Sequence, residues 1–232
     1  MAKADREDSP ASILAGLIKH VQISSKETVL KTYDVYLDDE ILDPSNYREL
    51  ISLLMNANEM DQINLYINSP GGNLDSATSI ITAMQCCPGE VTAYLMGACH
   101  SAASIITMYC TQVHVFNSAY MMAHTASFGS VGNTSTIKAH TDFTVAQVEK
   151  LLDDAYEGFL TKDELAKVKN GVEVWFDNEQ IVTRLKGRMK ILAKRRAEAE
   201  KVLAGEEDTP APKPKAAPKK TVKKVKETSD GQ

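Results

Sequence analysis

Val91-Thr92-Ala93-Tyr94-Leu95-Met96-Gly97-Ala98-Cys99-His100-Ser101-Ala102-Ala103-Ser104-Ile105-Ile106-Thr107-Met108 is the stretch on which the reading of this chain turns. A β-prone apolar run stops at Gly97, small residues follow, and apolar residues at helical spacing begin at Ser101. Strand, tight turn and helix with a serine at the corner is the geometry of a nucleophile elbow. The small residues at Gly97, Ala98, Ala102 and Ala103 let the backbone bend sharply and leave the hydroxyl exposed. Amides at the start of the helix can then face an oxyanion. Taken alone, the same pattern also describes a plain turn followed by a serine N-cap.

The elbow sits in a βαβα rhythm. Upstream, Tyr33 to Leu37 alternates like a strand, and Pro44 to Asn58 reads as a helix capped by Asp43, with Leu50, Leu53 and Leu54 inward. Ile63 to Ile67 is the next strand and closes in Asn68-Ser69-Pro70-Gly71-Gly72. An amphipathic helix follows, with Leu74, Ala77, Ile80, Ile81 and Met84 on one face, before Pro88-Gly89 turns the chain into Val91. This order predicts an α/β fold with a mostly parallel sheet and right-handed crossovers. Chemistry in such a sheet belongs at the C-terminal strand ends, where Gly71-Gly72 and Ser101 both fall.

Downstream, Gln112 to Phe116 and Tyr120 to Ala123 are short strands, the second ending at His124. Thr125 to Thr136 carries Gly129 and Gly132 among β-tolerant residues and reads as an edge strand or a flexible loop. Val145 to Tyr156 is helical by pattern, Thr161-x-x-Glu164 is a capping box, and Asn170-Gly171 ends that helix. Val172 to Phe176 is extended, and Asp177-x-x-Gln180 caps a basic helix through about Leu203. The expected organisation is an N-terminal arm over 1–31, a folded domain over 32–203 and a tail over 204–232. Within the arm, Ile13, Leu14, Leu17, Ile18 and Val21 recur at helical spacing. The tail, with seven lysines and almost no large apolar residue, is expected to be disordered.

Composition narrows the function class. The chain has 232 residues, 43% hydrophobic content and net charge −5, enough for one sizeable core and against a nucleic-acid surface spread over the whole chain. Cys86, Cys87, Cys99 and Cys110 form no C-x-x-C pair, which suits reduced, buried thiols in a cytoplasmic protein. No apolar run approaches the roughly 18 residues of a membrane span, and the start lacks a signal pattern, so neither membrane nor export is expected.

With these motifs placed, the chain resembles the proteolytic subunit of the Clp protease, ClpP, in a divergent form like those encoded by phages. Tyr66-Ile67-Asn68-Ser69-Pro70-Gly71-Gly72 follows the family's Tyr-Ile-Asn-Ser-Pro-Gly-Gly; Gly97-x-x-x-Ser101 follows its nucleophile motif, and Met122-Ala123-His124 its Met-Ile-His. The spacing of the three motifs also agrees, and the likeness covers roughly 33–185. The resemblance implies a spiral of ββα units like that shared with crotonases, with a protruding handle segment at Thr125 to Thr136. It implies Ser101 as nucleophile, His124 as general base, and Gly72 and Ala102 as oxyanion donors. Gly71, Thr125, Ala126 and Ser127 would bind substrate. The third member of the triad falls at Glu173 by spacing, with Glu157 and Asp177 as alternatives.

The same likeness implies a serine endopeptidase that cleaves unfolded polypeptides inside a closed chamber. Seven-membered rings, stacked as a tetradecamer, would form the chamber, and an ATP-driven unfoldase would feed it. No cofactor or metal is implied, and no phosphate-binding Gly-x-x-x-x-Gly-Lys-Ser/Thr occurs here. Three departures stand out: His100 where the family has alanine, expected to diverge from the Ser101 hydroxyl while still able to narrow the substrate site; Ala102 in place of methionine; and Thr125-Ala126 in place of Gln-Pro. Open alternatives are a non-catalytic ring subunit, a capsid-maturation protease and a crotonase-type acyl-CoA enzyme.

Overall fold

The computed structural model describes the backbone of residues 30–206, with side chains described through 194 and at 197. The expected arm helix and the lysine-rich tail lie outside the described residues. Strand β1 (Thr32–Leu37) leads through a 3-10 turn (Pro44–Tyr47) into α1 (Arg48–Asn56). Then come β2 (Gln62–Ser69), α2 (Leu74–Cys86), β3 (Glu90–His100), α3 (Ala102–Met108), β4 (Gln112–Val115) and β5 (Tyr120–Ala123). Helices α4 (Thr134–Tyr156) and α5 (Lys162–Lys169), strand β6 (Val174–Phe176) and helix α6 (Asn178–Glu206) complete the order. This is the mostly parallel α/β architecture that the pattern predicts.

The sheet runs β1-β2-β3-β5-β6, with β4 also pairing β3. All pairs are parallel except β5 with β6. Strand β3 is the spine. On one side it follows β2; on the other, Thr92 to Leu95 pair with β4 and Ala98 to His100 with β5. That second pairing carries the strand three residues past Gly97, where the sequence pattern ends it. Asn68 explains the irregularity between: its Oδ1 accepts from Ala98 N at 2.9 Å, and a Cβ on Gly97 would meet that oxygen. One face of the sheet buries Ile63, Leu65, Ile67, Ala93, Leu95 and Cys99 under the helices. On the other, Tyr36, Tyr66, Tyr94 and His114 stack in register across four strands, with ring centroids 4.9–5.1 Å apart.

Several expectations are corrected. Asp43 makes no side-chain cap; its carboxylate instead accepts from Asn73 Nδ2 at 3.3 Å, so the expected helix opens as a 3-10 turn. Residues 125–133 form no strand, and α4 begins at Thr134 rather than Val145, because Asn133 caps it by accepting from Thr136 N. Among the described residues no neighbouring strand pairs with the glycine-bearing segment. Of the four thiols, all free, only Cys99 is buried; Cys86 is exposed. Burial pushes the Cys99 thiol up to about 12.

Helix α6 is fastened by two arginines. Buried Arg188 donates to Met108 O and Glu157 O, the carbonyls at the ends of α3 and α4. Arg184 grips Glu164 with two bonds, at 2.7 and 2.8 Å, and stacks over Phe176 at 4.6 Å. Glu164 also completes the capping box with Thr161. The Arg184 hydrogen bonds hold the Glu164 carboxyl at about 2, well below its ordinary 4.5. A carboxylate lowered on folding stabilises the fold above its unfolded pKa and loses that contribution as pH falls through its folded one. Tm should therefore drop between about pH 4.5 and 2, and Glu164→Gln should flatten that limb relative to the parent protein. An unchanged acid limb in the variant would show that this pair does not set it.

Candidate active site

Strand β3 ends at His100 and α3 starts at Ala102, so Ser101 alone makes the corner. It is the only non-glycine described residue at positive φ, with φ 52° and ψ −123°. Such a backbone costs about 1–3 kcal/mol and persists only where its surroundings impose it. Here they do. Ser101 N donates to Met122 O at 2.9 Å, and Ser104 Oγ donates to Ser101 O at 2.7 Å. Ser104 also meets the Tyr156 hydroxyl at 2.5 Å, and that phenol, wholly buried, is shifted upward by burial. Nothing in the local sequence marks Tyr156 for this part, because it reaches the elbow only through the packing of α4.

His124 follows β5 directly, and its Nε2 lies 2.6 Å from Ser101 Oγ. Two sequence-distant side chains thus meet because β5 pairs with the last residues of β3. With the ring proton on Nδ1, Nε2 is placed to accept the serine proton.

The Pro-Gly-Gly turn packs against the corner. Gly71 has φ 89°, and a Cβ there would lie 2.6 Å from His100 O and 2.7 Å from Ser101 Cβ. Gly72, at φ 143°, would collide with Ile41 O. Ser69, a member of the motif that the sequence reading did not single out, ties the turn down. Its Oγ donates to Asp39 O at 2.7 Å and accepts from Gly71 N at 3.1 Å. Ile41 N donates to Gly71 O and Asn73 N donates to Ile41 O, so the Gly72 N–H is the one this bridge leaves unused. The Ala102 N–H, in the first turn of α3, has no intrahelical acceptor.

Ser101 and His124 open into a cavity of about 610 Å³. Gly72, Ala126 and Ser127 line it; Gly71 and Thr125, also expected at the substrate, do not. Phe128, Asp75 and His140 are lining residues that the sequence reading missed. Asp75 enters from the first turn of α2 and Phe128 from the irregular segment after β5, whereas His140 belongs to the wall that α4 delivers from residues 140–152, and no local pattern marks any of the three for one cavity.

Glu173 stands differently. Strands β5 and β6 pair Met121 with Phe176, Met122 with Trp175 and Ala123 with Val174; one further step sets Glu173 opposite His124. Its carboxylate, however, accepts from Trp175 Nε1 at 3.2 Å, and the only hydrogen bond of the His124 ring among the described residues is to Ser101. Of the alternatives, Asp177 accepts from Gln180 N to cap α6, and Glu157 ends α4 beside Arg188, with which its charge interacts.

His100 diverges from the Ser101 hydroxyl, as expected, and does not line the cavity it could have narrowed. Its ring packs on the outer sheet face against Tyr120 and Trp175, each at 5.0 Å, and its Nε2 is buried without a hydrogen-bond partner. Burial lowers its pKa, with Glu173 opposing the shift and His124 adding to it. Successive residues of an extended strand point to opposite faces, which sends His100 away from the Ser101 hydroxyl. Among the described residues no group of three or more His, Cys, Asp or Glu is arranged to hold a metal ion. Nor is any described helix long and apolar enough to cross a membrane.

A strained serine bonded to a strand-terminal histidine, beside a glycine turn with a spare amide, is the arrangement of a serine acyl-transfer centre. The family model described as Clp protease matches residues 19–182, and the chain belongs to that family, whose members are in general serine peptidases.

Proposed function

We propose that this chain is a self-compartmentalising serine endopeptidase acting on unfolded polypeptides, with Ser101 as nucleophile and His124 as general base. The observation that carries the reading is the 2.6 Å contact between His124 Nε2 and Ser101 Oγ at the strained elbow. His124 takes the hydroxyl proton as Oγ attacks a peptide carbonyl. The N–H groups of Gly72 and Ala102 receive the oxyanion, and the imidazolium returns the proton to the leaving amine. Water, activated by the same ring, then hydrolyses the acyl ester. Glu173 is the proposed orienting carboxylate, reached by rotating its side chain from Trp175 toward the histidine opposite.

Assembly into stacked rings, fed by an ATP-driven unfoldase, belongs to the same proposal. Supporting it, Phe128, Val131, Ile137 and Phe143 stand exposed on 128–143, Val131 to 99%. Tyr36, Tyr120 and Trp175 are exposed on the outer sheet face. A monomer rarely leaves this much apolar surface uncovered. Residues 125–133, unpaired among the described residues, leave backbone groups for an extended peptide or a second copy.

Intact mass after fluorophosphonate treatment tests the chemistry: one adduct per chain, mapped to Ser101, is expected, and native mass of the same sample reports ring size. Rings without an adduct would instead favour a non-catalytic subunit. Glu173→Gln should lower peptide kcat/KM about tenfold, a modest loss for an exposed carboxylate. Asp177→Asn should leave activity in place, and the reverse ranking would move the third role to Asp177. A crotonase-type reaction, which relies on paired carboxylates, finds only Asp75 among the described residues along this cavity.

A further inference from the structure

Among the described residues, the cavity holding Ser101 and His124 is lined by one acidic residue, Asp75, and by no lysine or arginine. Asp75 lies in the first turn of α2, just past the Gly71-Gly72 turn. Its backbone carbonyl serves Thr78 and Ser79, but its carboxylate makes no hydrogen bond or ion pair with any described side chain. Asn73 already caps that helix, accepting from Ser76 N at 2.9 Å. Lys150 lines the adjoining cavity that Asp75 also borders, yet no ion pair joins the two. Leu74, Ile105, Met122, Val148 and Leu152 give the cavity an apolar side.

An apolar wall bordered by an unpaired carboxylate matches a side chain with a hydrocarbon stem and a cationic head. We infer that Asp75 is a specificity-determining residue, selecting polypeptide segments that present lysine or arginine to this cavity; the inference rests on the peptidase reading above. The stem packs on the apolar wall while the head reaches the carboxylate in a charge-assisted bond. A glutamate or aspartate in the same place meets like charge and is rejected. The other titratable lining residue besides His124 is His140, whose ring packs edge-on against Phe128 at 6.2 Å.

Peptidyl diphenyl phosphonates that differ only in a leucine-, lysine- or glutamate-like side chain beside the phosphorus test this directly on the full chain. Their rates of adduct formation, read by intact mass, are compared between the parent protein and Asp75→Asn. The parent should react with the lysine probe faster than with the glutamate probe, and that preference should shrink as ionic strength rises. Asp75→Asn should lower the lysine-to-leucine rate ratio on the order of fivefold, as for a solvent-facing ion pair, and raise the glutamate-to-leucine ratio. A uniform fall with all three probes would assign Asp75 to the helix terminus and overturn the inference, as would unchanged ratios. Absence of any adduct on the parent protein is a different failure, which removes the peptidase reading and this inference with it.

Discussion

Ser101→Ala is expected to abolish both fluorophosphonate labelling and peptide hydrolysis, with a loss on the order of 10⁶-fold, as when a serine nucleophile is deleted from a working triad. The expectation follows from the geometry. The hydroxyl makes the hydrogen bond to His124 at the corner, and removing it leaves the imidazole without that partner at 2.6 Å. His124→Ala should fail in the same assays although the hydroxyl remains, because an unassisted serine is a weak nucleophile near neutral pH. A third variant separates chemistry from folding. Ser101 holds φ 52°, a conformation that glycine adopts readily. Ser101→Gly should therefore be inactive yet melt higher than Ser101→Ala, by the equivalent of about 1 kcal/mol. Residual labelling of Ser101→Ala at another serine would move the nucleophile elsewhere and end the proposal.

Gly71→Ala should cost about 10²–10³-fold in peptide kcat/KM, the range reported by loss of one oxyanion donor. Gly71 itself does not line the cavity. Its added methyl would press within 2.7 Å of Ser101 Cβ and of His100 O, so either the elbow or the turn carrying the Gly72 N–H must move. Gly171→Ala provides the control. It too sits at positive φ, 84°, but nothing lies within 4 Å of where its Cβ would be. That variant should lose roughly 1–2 kcal/mol of stability from backbone strain while keeping its catalytic rate. If Gly71→Ala stays folded and reacts with the fluorophosphonate at the parent rate, the turn is not part of the oxyanion site.

Much of the fold was legible because it is written in local periodicity. Strand β5 falls where the pattern places it, the capping box at Thr161 and Glu164 is formed, and α2 buries Ala77, Ile80, Ile81 and Met84 as its spacing requires. The misreadings share a different cause. Strand β3 outruns Gly97 because β5 offers it a partner, and Asp43 abandons its cap because Asn73 competes for the carboxylate. Of the two readings left open at Thr125 to Thr136, edge strand or loop, the strand finds no partner among the described residues, and the segment is irregular through 133 before a helix longer than its pattern suggested.

The site divides along the same line. The motif Asn68-Ser69-Pro70-Gly71-Gly72, the serine corner and the strand-terminal histidine are each visible as residues, because each needs a particular side chain or a missing one at a fixed local step. What they do to one another is not local. The 2.6 Å approach of His124 to Ser101 depends on the register between β3 and β5, and the anchoring of the elbow by Tyr156 depends on how α4 packs. Likewise, Asp75 and His140 come to line one cavity, and Glu173 bonds Trp175 instead of the histidine its register sets opposite. The chain's own order determined its strands, helices, turns and chemically equipped residues, since these follow from neighbours a few positions apart. Only the tertiary structure decided which of those residues meet, because contacts between segments tens of residues apart are selected by packing and strand register.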